Sequence, residues 1–105
     1  RKLDLREDWE EIKINVMRKG LDEKFVQNPD LAVKLIQTYP KILQEGNRWN
    51  DSFWGYNFKT NWGENWLGRL LMDVRSRILS NCFRKGLRTI KECILRIQNN
   101  GVPLY

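Results

Sequence analysis

The sequence predicts a mainly α chain of about four helices, with one long irregular Trp/Gly-rich loop and at most a short strand. Three observations carry that prediction. Apolar residues recur at helical spacing up to Tyr39 and again from Glu64 onward. Proline and glycine punctuate those runs at Pro29, Pro40, Gly101 and Pro103. Between them, Trp49 to Gly68 holds four of the five tryptophans among asparagines and glycines, too polar for a core helix and too aromatic for an idle loop.

In chain order, residues 6–27 read as the first helix. Trp9, Ile12 and Val16 fall on one apolar stripe, which Met17, Leu21 and Phe25 continue one step over. Glu7, Asp8, Glu10 and Glu11 crowd its start, where the helix dipole favours acids. Gly20 weakens this helix by about 1 kcal/mol without having to break it. Asn28 is a good N-cap and Pro29 a good first residue for a second helix, whose buried side is Leu31 with Leu35 and Ala32 with Ile36. Tyr39-Pro40 stops it. The following Lys41–Glu45 fits a short strand, and residues 46–63 read as irregular. From Glu64 the helical period returns, with Leu67, Leu70, Leu71, Val74 and Ile78 on one stripe. A last helix is predicted over 84–99. Leu87, Ile90, Ile94 and Ile97 form its core face, and Arg84, Lys85, Arg88, Lys91 and Arg96 spread over the other side.

A chain of 105 residues is one domain's worth, with little core to spare. No apolar run approaches the roughly 20 residues that span a bilayer, and no signal-peptide pattern is present. The first residue is Arg rather than Met, as expected of a fragment or a processed product. Cys82 and Cys93 lack a CxxC partner and read as two buried or idle thiols in a reducing, cytoplasmic setting. Histidine is absent, which excludes a Ser-His-Asp or Cys-His triad and any His-ligated metal within this chain. Acid–base chemistry here would fall to carboxylates.

The net charge of +6 is unevenly placed: residues 1–80 carry 14 basic and 12 acidic groups, and residues 81–105 carry 5 and 1. A basic last helix is what a phosphate-binding, nucleic-acid surface requires. It is also an ordinary solvated helix face, and no aromatic is interleaved among its cations. The Trp/Gly-rich loop holds the ingredients of a nucleotide pocket. Tryptophan stacks on bases for about 1–3 kcal/mol each. Glycine permits close backbone approach, and asparagine reads base edges or sugars. Arg48 and Arg69 can hold a phosphate by bidentate bonds. The competing reading is a surface loop pinned by tryptophans in the core, although long irregular loops in compact domains are uncommon unless functional. Glu45, Asp51 and Glu64 flank the loop, and glycosidic cleavage needs such a carboxylate at an oxocarbenium-like centre. Composition does not choose among the three.

The ordered blocks are Trp9-Glu10, Val16-Met17, the run Lys24-Phe25-Val26-Gln27-Asn28-Pro29-Asp30-Leu31, and Thr38 with Glu45. They continue as Asp51-Ser52-Phe53-Trp54-Gly55, the run Gly63-Glu64-Asn65-Trp66-Leu67-Gly68, and Leu71-Met72-Asp73-Val74-Arg75. In this order they resemble the NADAR, or YbiA-like, domain family. The resemblance implies the C-terminal part of an α+β N-glycosidase domain over residues 1–80, with 81–105 a basic helical extension packed on the same domain. It implies a hydrolase that cleaves N-ribosylated bases, either the phosphorylated ribosylamino-pyrimidines of riboflavin synthesis or ADP-ribose attached to guanine, without metal or organic cofactor. Nucleic acid would enter as an ADP-ribosylated substrate, and no membrane partner is implied.

By the same resemblance Trp9, Asp51, Trp54 and Gly55 line the pocket, with Asp51 the best catalytic carboxylate in this chain. Asn65 and Gly68 shape a loop-to-helix corner where backbone N–H groups can face an anion. Lys24 and Gln27 have no assigned role, Phe25 reads as core and Asn28 as a cap. Arg75 suits a phosphate and a salt bridge equally. The family's N-terminal half, with the Ser-Glu-His-Tyr-Phe-like block whose Glu is the expected acid or base, has no counterpart here. The alternative is therefore a catalytically incomplete subunit that binds ADP-ribose or a related nucleotide, or that pairs with a chain supplying that half.

Overall fold

The computed structural model describes residues 5–44, 53–56 and 63–105. Among them are four helices, α1 (Leu5–Gln27), α2 (Pro29–Gln37), α3 (Trp66–Arg84) and α4 (Ile90–Asn100). No β-strand occurs among the described residues. Lys41–Gln44 forms none, Glu45 lies outside them, and Tyr56 makes only an isolated bridge. The mainly α expectation holds.

The break between α1 and α2 is made by Asn28-Pro29. Asn28 caps differently from expectation. Its backbone carbonyl accepts from Leu31 and Ala32, but its side-chain amide donates backwards to the Lys24 carbonyl at 2.8 Å. It therefore closes α1 rather than opening α2, where no side-chain cap bond forms. Thr38 ends α2, and the Tyr39-Pro40 peptide is cis.

All four helices contribute to one core. Leu21 and Phe25 of α1 meet Ala32, Leu35 and Ile36 of α2, then Leu70, Val74, Ile78 and Leu79 of α3, and Ile97 of α4. The C-terminal residues fold back over the end of α3. Leu104 joins the core, and Asn81 Nδ2 donates to the Pro103 carbonyl at 2.6 Å. α1, α2 and α3 pack on one another, with α4 against α2 and α3, while Trp9, Ile12 and Val16 in the N-terminal half of α1 stay exposed.

The last helix starts later than the sequence suggested. Residue 84 is the end of α3, and α4 begins at Ile90. Two local signals explain the difference. Gly86, at φ +88°, takes the left-handed position of a Schellman turn: Leu87 N–H donates to the Cys82 carbonyl and Gly86 N–H to that of Phe83, both at 3.0 Å. Three residues later Thr89 Oγ1 accepts from Glu92 N–H at 3.1 Å, half of a Thr-x-x-Glu capping box. The apolar period runs through both helices and hides the turn.

That turn also corrects the cysteine reading. Cys82 in the last turn of α3 and Cys93 in the first turn of α4 are joined as a disulfide, with Cα atoms 5.9 Å apart and both side chains buried. They are not idle thiols, and the cytoplasmic expectation loses the support it took from them. No helix among the described residues is long and apolar enough to cross a membrane.

Candidate functional site

The site forms where residues 53–56 meet α1 and the start of α3. The first three amides of the α3 entry are taken up by this short segment. Asn65 N–H donates to the Gly55 carbonyl at 3.1 Å, Trp66 N–H to Phe53 at 3.0 Å and Leu67 N–H to Trp54 at 2.9 Å. Carbonyls thus satisfy these three amides, which are not open to an anion.

Asn65 holds a left-handed backbone, φ 54°, and its side-chain amide donates to the Leu43 carbonyl at 2.8 Å. One turn on, Gly68 lies so close to Leu43 that a Cβ there would collide with the Leu43 carbonyl oxygen. The two residues thus let the chain after α2 run against α3. Gly63, at φ +151°, makes a similar close approach to the backbone of Gly55 and Tyr56. Gly55 itself is buried in this turn.

Trp54 emerges from the turn half-buried, with its ring edge-on to Phe53 at 4.8 Å between centroids. It lines a groove of about 350 Å³ together with Trp9, Ile12, Lys13, Val16, Met17 and Gly20 of α1. Lys13 Nζ lies 3.9 Å from the centre of the Phe53 ring, which ties α1 to the loop. The volume is within the range of about 300–1,000 Å³ of small-molecule sites. Among the described residues, Lys13 is the one charged side chain lining the groove. Among them, too, no group of three or more His, Cys, Asp or Glu could hold a metal ion.

The structure therefore brings Trp9 and Trp54 together on one groove, with Gly55 in the turn behind Trp54. Asn65 and Gly68 are at the corner, not on the groove wall. Arg69 is exposed and its guanidinium sits 4.8 Å over the Trp66 ring, while Trp66 stacks at 6.3 Å on Phe53. Asp51 and Arg48 lie outside the described residues, as do Glu45, Trp49 and Trp62.

Sequence reasoning placed Trp9 and Trp54 in the pocket and missed Ile12, Lys13, Val16, Met17 and Gly20 as wall residues. The signal for Ile12 and Val16 was the apolar stripe of Trp9, Ile12 and Val16. In the structure these three side chains are 60%, 52% and 67% exposed.

Arg75 is 5% exposed, on a different part of α3. Its Nη1 donates to Thr38 Oγ1 at 2.8 Å, its guanidinium lies 5.5 Å from the Tyr39 ring, and its Nε has no partner among the described residues. Of its two anticipated uses, the salt bridge is not formed: no ion pair reaches it among the described residues. On α3 it is Arg77 that forms salt bridges, with Asp22 and Asp73, and Arg18 of α1 also reaches Asp73 at 3.9 Å. The hydrogen bond to Asp22 is the largest cause holding the Arg77 guanidinium above its ordinary value. Burial opposes it, and the charges of Asp22 and Asp73 reinforce it.

The comparisons with known proteins bear on the same residues. The family model of the NADAR domain matches residues 1–79. The chain is 43% identical over 74 residues to the N-glycosidase YbiA of Shigella flexneri serotype 5b (strain 8401), and 42% identical over 74 residues to that of Escherichia coli (strain K12). Each match covers 70% of this chain and 45% of the relative. It is 44% identical over 75 residues to the riboflavin biosynthesis protein PYRR, chloroplastic, of Arabidopsis thaliana, covering 71% of this chain and 12% of that protein. The chain thus spans less than half the length of the YbiA relatives. No solved structure matches. With the two groove tryptophans, the loop segment and the α3 entry all falling inside residues 1–79, the chain belongs to the NADAR domain family.

Proposed function

We propose that this chain forms part of an N-glycosidase-type hydrolase for N-ribosylated bases, either ribosylamino-pyrimidine phosphates of riboflavin synthesis or ADP-ribosylated guanine. The observation that carries the reading is the convergence of Trp9 and Trp54 on one groove in a family whose relatives include the N-glycosidase YbiA. The groove offers apolar and aromatic surface against which a base can stack. Hydrolysis breaks the C1′–N bond, joins a water oxygen to C1′ and delivers a proton to the departing nitrogen. A carboxylate must stabilise the positive ring or activate the water. In this chain Asp51 is the candidate for that role, with Arg48 and Arg69 to hold phosphate. The acid or base proper comes from the part of the domain that this chain does not span.

One observation favours a second reading, a nucleotide-binding or assembly subunit without turnover: no carboxylate is among the described residues lining the groove. Base release separates the two. The chain is assayed with a phosphorylated ribosylamino-pyrimidine and with ADP-ribosylated guanine, alone and joined to the remainder of the Escherichia coli YbiA chain. Release only when joined is the expected result. Release by the chain alone at the rate of intact YbiA would overturn the incomplete-site reading. ADP-ribose binding with no release in any form leaves the second reading standing.

A further inference from the structure

The helix face that carries the groove is unfinished in a way that single exposed side chains are not. Trp9, Ile12 and Val16 stand at i, i+3 and i+7 on α1, more exposed than buried, and line one apolar groove. Gly20 closes the row at the next turn. It is helical, and a Cβ added there would meet nothing within 4 Å. Here a glycine weakens a helix interior and no described contact needs it. A backbone crossing close to α1 at that turn would need it.

The YbiA relatives have more than twice the length that the match covers, so a packing partner of domain size exists in the family chain itself.

We propose that the Trp9–Gly20 face of α1 docks the part of a YbiA-like domain that this chain does not span. The docking segment presents an apolar strip to Ile12 and Val16, a close backbone at Gly20 and a carboxylate to Lys13. The groove runs about 16 Å along α1 from Trp9 to Gly20, enough for a packed segment beyond the space a stacked base takes. The proposal rests on the assembly component of the function proposed above, and it concerns packing rather than chemistry.

The test is a chimera in which this chain replaces the matched residues of Escherichia coli YbiA, compared with the chain by itself. Val16→Asp and Gly20→Leu are made in both. In the chain alone both sites are open, so Val16→Asp leaves the melting temperature unchanged within a degree or two. In the chimera each substitution lowers it by several degrees. A control at exposed Leu95 on α4, Leu95→Asp, changes neither form. Equal effects of Val16→Asp in both forms overturn the proposal.

Should the chimera not fold, the remainder of YbiA is titrated into this chain as a separate polypeptide, and binding is read by tryptophan fluorescence. Binding weakened at least tenfold by Val16→Asp supports the surface, and absence of binding to the unsubstituted chain overturns it. A dimer of the chain alone that Val16→Asp dissociates assigns the face to a second copy, and this also overturns the proposal. Every readout is packing, so loss of base release with docking intact refutes only the hydrolase reading, and the reverse refutes only this one.

Discussion

Arg77 of α3 grips Asp22 of α1 through both terminal nitrogens, Nη2 to Oδ1 at 2.6 Å and Nη1 to Oδ2 at 3.0 Å. Its Nε donates at 3.0 Å to Asp73, one turn back on α3. The Asp22 side chain is largely buried and the Arg77 side chain about one-third exposed. This fork sets the position of α1 on α3, and so of the groove on the loop. Asp22→Ala should cost about 2 kcal/mol, because it removes two charge-assisted bonds and leaves a part-buried guanidinium with Asp73 alone. Asp22→Asn keeps one acceptor and should cost about half of that. A double-mutant cycle with Arg77→Met, read from urea midpoints, should give a coupling of about 1–2 kcal/mol. A coupling near zero would mean that the pair sits on the fold without positioning it. Because the Arg77 value is raised, its contribution is complete below the ordinary arginine range and lost only as pH rises through the folded-state value. Mild alkali should leave the cycle unchanged.

Two glycines of this chain should respond in opposite directions to the same change. Gly20→Ala places a methyl in open space on a helix and should stabilise the isolated chain by about 0.5–1 kcal/mol. Gly68→Ala gains the same helix propensity but drives its methyl into the Leu43 carbonyl oxygen and the Asn65 amide. Overpacking of this kind costs about 1–3 kcal/mol, and the net effect should be a loss. Thermal melts of the two variants decide it. A stabilising Gly68→Ala would show that the Leu43 segment yields freely and that the corner is not tightly held.

These cases also show what the sequence could and could not reveal. The helices were legible wherever one apolar stripe met one core, as with Leu70, Val74 and Ile78, all fully buried. The stripe of Trp9, Ile12 and Val16 has the same period, yet those side chains face outward. Periodicity reports that a face is apolar, not which neighbour covers it. The turn between α3 and α4 was missed for a related reason. Leu87, Ile90 and Ile94 continue the helical spacing across it, while the signals that break it, Gly86 and the Thr89–Glu92 cap, are local. Trp54 was separated from its tryptophan neighbours through the family blocks. Trp66 then proved to stack on Phe53 and carry Arg69. The site is legible only in part, because Asp51 and Arg48 fall outside the described residues.

Reduction of the Cys82–Cys93 disulfide should lower stability by about 3 kcal/mol, from the loop-closure entropy returned to the unfolded chain by a sequence separation of 11 residues. Both sulfurs are buried where α4 packs on α3. Reductant must therefore wait for that end of the molecule to open, and thiol labelling of the native protein should lag behind labelling in denaturant. The urea midpoint with and without reductant, and that of the Cys82→Ala/Cys93→Ala double variant, measure the cost. The bond lies beyond the residues matched by the family, so a fall confined to α4 unfolding, with the α1–α3 ion pair retained, is the expected pattern. Identical midpoints in oxidised and reduced protein would show that the bond does not contribute to stability.

The groove tryptophans should differ from Trp66 in what they do to a ligand. Stacking of a base on tryptophan is worth about 1–3 kcal/mol, which corresponds to a loss of about tenfold to a hundredfold on truncation. Titration with ADP-ribose, followed by fluorescence quenching, should therefore show Trp54→Ala and Trp9→Ala binding tenfold or more weakly. Trp54→Phe should recover part of that loss, because a smaller aromatic face remains. Trp66 stacks on Phe53 and supports Arg69 instead of lining the groove. Trp66→Phe should leave affinity within about twofold, since phenylalanine preserves the stack on Phe53. Equal losses at Trp54 and Trp66 would place the ligand along the α3 entry rather than in the groove. A chain that binds no ADP-ribose by itself, but gains affinity when joined to the rest of the YbiA domain, would mean that the tryptophans form one wall of a pocket whose other wall must dock first.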